Sequence, residues 1–116
     1  MPTRGSNARR IKTQYTAMTY LDLNRARQII DLLPETFDSH DFIFEYLNRY
    51  ERDYVEWLSE HLAQRTDTGI FMGVNSEIAR FLSQNSQALH ISTSDTLVES
   101  RNIKNKISQN HQWRKQ

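Results

Sequence analysis

The chain has no cysteine in its 116 residues, and only three glycines and two prolines. Without cysteine there is no disulfide scaffold, no thiolate metal site and no thiol nucleophile. Two of the glycines, Gly69 and Gly73, punctuate one connection, and its GIFMG centre is not a phosphate-binding loop. There is no apolar run of about 18 residues, so no membrane span is expected. The basic start, MPTRGSNARRIKTQ, is not followed by an apolar stretch, so it is not read as a secretory leader. A cytoplasmic protein is the expectation.

Paired metal ligands are also lacking. His40, His61, His90 and His111 are far apart and no H-E-x-x-H occurs. Glu56, Glu60 and His61 lie close along one helix but lack the Glu-x-x-His spacing of a helical two-metal site. No nucleophile has a base beside it, and most acids read as a solvated face. The chain is therefore expected to be no enzyme, with no metal, no cofactor and no small-molecule substrate.

What is present is a charge pattern, which the net charge of +1 conceals. Residues 1–30 carry six basic groups against one acid, residues 31–67 three against ten, and residues 68–116 six against three. Basic ends flank an acidic middle. Such ends suit an anionic partner, and they equally neutralise the middle of the chain. The chain divides into a basic disordered tail over 1–15, a helical domain over 16–100 and a basic segment over 101–116.

Periodicity predicts helices. Leu23, Ala26, Ile29, Ile30 and Leu33 fall on one stripe of a helix over about 20–33, with Thr19 and Asp22 spaced as a cap and Pro34 as its stop. A second helix over about 39–64, capped by Asp38 or Ser39, would be roughly 38 Å long. Its apolar residues cover half the circumference, more than a surface helix needs, so it has neighbours on two sides or faces another subunit. Phe42, Tyr46, Tyr50 and Tyr54 form a ring ladder along it that reads as core. A third helix starts at Asn75 or Ser76 and ends near His90. Beyond it the pattern weakens into a short helix around 100–108 or a small hairpin over HIS-TSD-TLVES. The fold expected is all-α: three main helices about the long aromatic one, a short C-terminal helix or hairpin, and a helix-turn-helix or winged-helix likeness.

That likeness rests on EIARFLS, where Ile78, Ala79 and Leu82 have the spacing of a supporting helix. Ser83 and Gln84 depart from the tight turn, and SQALHISTS has no basic residue to read DNA. The basic end carries the nucleic-acid reading instead: Arg101 to Gln116 holds five Lys/Arg and no acid, with Asn interspersed. Cations supply phosphate attraction, and Asn and Arg match base edges. DNA or RNA would be met by Arg101, Asn102, Lys104, Asn105, Lys106, Arg114 and Lys115, helped by Arg9, Arg10 and Lys12. The rival reading is a protein-interaction module or homodimer that binds through Trp113 and the helix residues Tyr50, Tyr54 and Trp57.

Overall fold

The computed structural model describes residues 19–64 and 69–116. Among these residues the chain forms α1 (Leu23–Leu32), β1 (Thr36–Asp38), α2 (Ser39–Arg49), α3 (Glu51–Gln64), α4 (Ile70–Gln84), α5 (Ser86–Leu89), β2 (Ile91–Arg101) and β3 (Ile107–Lys115). The architecture is mixed α/β, which corrects the all-α expectation. No helix of the described residues is long and apolar enough to cross a membrane.

Local chemistry sets the first elements. Asp22 caps α1, its carboxylate accepting from the Arg25 N–H at 2.8 Å. The helix stops as Leu33 turns extended ahead of Pro34. At α2, Asp38 Oδ1 accepts from the Asp41 N–H at 2.8 Å, and Asp41 Oδ2 accepts from the Asp38 N–H at 3.0 Å, a reciprocal capping box.

The one helix expected over 39–64 is two. Tyr50 leaves helical geometry (φ −125°, ψ 51°), so α3 sets off in a new direction from α2. The break accounts for the wide apolar arc. α2 buries Phe42, Ile43 and Tyr46, and packs on α1, β1 and β3. α3 buries Tyr54 and Trp57 and packs mainly on α4. Three rings of the expected ladder, those of Phe42, Tyr46 and Tyr54, are in the core, and Tyr50 is half-buried. Tyr46 meets Tyr54 and Trp57 edge to face, at centroid distances of 6.0 and 6.1 Å.

α4 begins five residues before the expected start. Gly69 takes a left-handed conformation (φ 79°), which glycine adopts without steric penalty, and leads straight into Ile70. Asn75 is thus inside the helix, where its Oδ1 accepts from the Tyr54 hydroxyl at 2.8 Å. After α4 comes only the single turn α5, closed by left-handed His90, and then a strand. No recognition-length helix follows, which overturns the helix-turn-helix likeness.

The sheet has the order β1-β3-β2 and is antiparallel. β2 meets β3 in two paired segments, 91–93 and 97–101, separated by an irregularity between Thr93 and Leu97. The TSD stretch is therefore a bulge in a long strand and not the turn of a small hairpin. Neither the small hairpin nor the short helix around 100–108 forms. The chain reverses over 102–106, with Asn105 left-handed (φ 63°). Trp113 stands opposite Phe37 on one side and Thr93 on the other. It is 1% exposed, and its indole N–H donates to Ser39 Oγ at 3.0 Å, tying β3 to the start of α2.

Candidate binding groove

α2, α3 and α4 converge with the outer half of the β2–β3 ribbon around a groove of about 1210 Å³. Its helical wall is mainly apolar, with Ser59, Asn75 and Ser76 among the larger side chains. Val55, Leu58 and Leu62 lie at i, i+3 and i+7 on α3, on a different stripe from buried Tyr54 and Trp57. Phe71 and Met72 face them from the first turn of α4, and Ile43 and Phe44 close the α2 side. Ile43 belongs to the core and Phe44 and Leu58 are half-buried, but Val55 and Leu62 are each 55% exposed and Met72 is 73% exposed. The ribbon adds Leu97 and Ile103.

The other end of the groove is polar. His40, the second residue of α2, is buried, and its backbone N–H donates to Asn110 Oδ1 at 3.0 Å. Asn110 Nδ2 donates to the Val98 carbonyl and to Ser100 Oγ, both at 3.2 Å. Ser100 Oγ lies 2.7 Å from His40 Nδ1, and Ser108 Oγ lies 3.3 Å from His40 Nε2. Asn102 Nδ2 donates to the same Ser108 oxygen at 3.3 Å.

The two imidazole tautomers differ in what they leave unpaired. With the proton on Nε2, the Ser100 hydroxyl donates to Nδ1 and Nε2–H donates to Ser108. Every proton of the chain is then placed, and the Ser108 hydroxyl keeps its own proton for the groove. With the proton on Nδ1, the partly buried Ser100 hydroxyl has no acceptor among the described bonds. The first arrangement costs less. It presents Ser108 as a donor to whatever occupies the groove. It does not activate Ser108, because the adjacent nitrogen already carries its proton and neutral Ser100 cannot stabilise an imidazolium as a carboxylate would.

The charge of the lining is one-sided. Among the described residues it includes Lys104 but no Asp or Glu, although the chain holds 14 acids. Behind the helical wall, burial raises the Tyr54 phenol to about 12 and Tyr46 further still, so both stay neutral donors at ordinary pH.

Of the residues expected to meet nucleic acid, five share the ribbon tip, and Arg114 and Lys115 lie at the other end of β3. Arg101 to Lys106 form the ribbon tip. Asn102 Oδ1 accepts from the Lys104 and Lys106 N–H groups at 2.9 and 3.1 Å, and Arg101 Nη1 donates to the Asn105 carbonyl at 2.9 Å. Asn102 and Asn105 thus build the turn. Lys104, Lys106 and Arg114 are exposed. Lys115 Nζ donates to the Leu33 carbonyl at 2.8 Å at the opposite end of β3. Arg9, Arg10 and Lys12 lie outside the described residues.

The residues expected to meet a partner point inward. Trp113, Tyr54 and Trp57 are each no more than 1% exposed. Tyr50 donates to Gln28 Oε1 at 2.6 Å and sits under the Arg25 guanidinium at 5.7 Å. The described residues contain no group of three or more His, Cys, Asp or Glu that could hold a metal ion. His61, next to Glu56 and Glu60 in sequence, pairs instead with Glu77 of α4.

Sequence reasoning missed the polar end entirely. His40 and Ser100 are 60 residues apart, and no local pattern links them. The apolar wall was partly legible: the Val55, Leu58 and Leu62 stripe is the excess of the wide arc over what one core face requires. No protein-family model, no curated protein and no solved structure matches the chain.

Proposed function

We propose that the protein is a non-catalytic interaction module whose groove receives the apolar face of a helix from a partner protein. One observation carries this reading. An open groove of about 1210 Å³ has Val55, Leu62, Phe71 and Met72 in its lining, large apolar side chains that the fold itself leaves exposed. Contiguous exposed apolar surface of this kind marks interaction sites. The openness favours a helix over a small molecule. Small-molecule sites are typically about 300–1,000 Å³ and enclose most of their ligand. A ligand here would keep one side in water, and an amphipathic helix has a polar side to leave there.

The basic ribbon supports a nucleic-acid reading less well. Its asparagines are engaged in the turn, and of its exposed cations Arg101, Lys104 and Lys106 share the tip while Arg114 lies near the far end.

The test is a titration of labelled amphipathic helical peptides into the full chain, read by fluorescence anisotropy. Met72→Glu combined with Val55→Glu is expected to abolish binding. Both side chains are more than half exposed, so stability is expected to change by only about 0.5 kcal/mol per site. If no apolar-faced peptide binds at its highest soluble concentration, the reading fails. If duplex DNA or RNA binds instead with a steep salt dependence, the nucleic-acid reading replaces it.

A further inference from the structure

We infer that the partner helix carries an Asp or Glu at one end of its apolar face, and that this carboxylate seats at the ribbon end of the groove, which Lys104 and Ser108 line. The inference rests on the groove reading above and names the chemistry of the occupant.

Three features of that end support it. The first is charge. Among the described lining residues, Lys104 is the only Lys, Arg, Asp or Glu. Among the described residues no carboxylate pairs with Lys104. In a chain with nearly equal numbers of acids and bases, a lining without acids favours an anionic occupant over a cationic one.

The second is the direction of the hydrogen bonds. Asn110 donates to Ser100 and Asn102 donates to Ser108; with the His40 proton on Nε2, Ser100 donates to Nδ1 and Nε2–H donates to Ser108. In that tautomer Ser108 Oγ accepts twice, and its own proton is left to donate to another group. The chain of donors ends in a hydroxyl that asks for an acceptor. A carboxylate is the strongest acceptor a protein side chain offers, and hydrogen bonds to charged groups exceed neutral ones.

The third is segregation. That end of the groove lies opposite a wall formed by Val55, Leu58, Leu62, Phe71 and Met72, with no charged group among its described lining residues. One ligand therefore meets apolar surface along its length and donors at its end. A free long-chain carboxylate has the same two-part chemistry. The open groove would leave its tail in water, so a helix is the better fit.

Three helical peptides with one apolar face, ending in Glu, Gln or Lys, are titrated against the full chain by anisotropy. The Glu peptide is expected to bind about 10-fold tighter than the Lys peptide, with Gln between them. In Lys104→Ala and Ser108→Ala the gap is expected to fall below about 3-fold, and added salt is expected to narrow it in the unaltered protein. Ser108 is part of the ribbon seam, and if Ser108→Ala does not fold, the exposed Lys104→Ala variant alone decides. Equal binding of the Glu and Lys peptides overturns the inference and leaves the groove reading standing. Failure of all three peptides overturns both. Binding of sodium dodecanoate without any peptide assigns the groove to a free amphiphile, and likewise overturns the inference.

Discussion

Tyr46, Tyr50 and Tyr54 on the helical side, and Ser100, Ser108 and Asn110 on the sheet side, all join elements by hydrogen bonds, but in different surroundings. Each tyrosine is an apolar body with one polar tip. Tyr46 donates to the Tyr20 carbonyl at 2.6 Å, Tyr50 to Gln28 and Tyr54 to Asn75. The rings fill space, and each tip needs one partner. The sheet side is joined in two ways. Near the chain end Trp113 supplies bulk and one bond to Ser39. Toward the ribbon tip, small polar side chains meet His40 in a network with little apolar burial of its own. Burial thus holds most of the molecule together, and hydrogen bonding holds the part that shapes the polar end of the groove. Burial is non-directional and tolerates adjustment. A polar network fixes positions but must be complete.

Truncating Trp113 gives the largest expected effect and tests whether the sheet side depends on burial at all. Trp113→Ala is expected to lower unfolding free energy by roughly 3–5 kcal/mol in urea denaturation. Trp113→Phe, which keeps bulk and loses the bond to Ser39, is expected to recover most of it. Equal loss in the two variants would make the hydrogen bond the main contributor and erase the distinction.

Asn110→Ala acts on the network. It removes the acceptor for the His40 N–H and two donated bonds. The expected cost is about 2 kcal/mol, because partly buried groups are left unpaired. The change is expected to localise: amide exchange rises over 97–110 while the helices keep their protection. Uniform deprotection would mean that seam and core are one cooperative unit.

Alkaline pH sharpens the comparison from the other side, with no effect near neutrality. Burial raises Tyr54 to about 12 and also raises Tyr46 and Tyr20. A phenol that holds its proton more tightly when folded contributes stability that is complete below its ordinary value of 10. That stability is lost as pH rises past 10. Unfolding free energy is expected to fall above pH 10, steepest up to about 12, with helical signals loosening before Trp113 fluorescence changes. Tyr54→Phe is expected to flatten the fall. A profile that Tyr54→Phe leaves unchanged would break the assignment of this response to the helical side.

The comparison also explains what the sequence discloses. The cap at Asp38, the stop before Pro34 and the apolar stripes of the helices are local features, set by neighbours within a few residues. The ring ladder is legible for the same reason. The ribbon is not. Its inward positions include Ser100, Ser108 and Asn110, which interrupt the alternation that marks a half-buried strand. Its pairing is non-local, since Phe37 finds Trp113 across 75 intervening residues of chain. The early start of α4 is hidden because Gly69 reads as a connection, and only its left-handed geometry turns it into a helix entry.

By itself the sequence determined the cap at Asp38 and the stop before Pro34, which helical faces are apolar, and that the chain's ends are basic. Those properties follow from residue type and spacing. Tertiary structure decided that the long aromatic helix breaks at Tyr50, that the basic end pairs as a sheet, and that Trp113 lies in the core. It also decided that His40 meets Ser100 and Ser108 at the end of an apolar groove. Those outcomes depend on which distant surfaces satisfy one another, and no spacing along the chain records that.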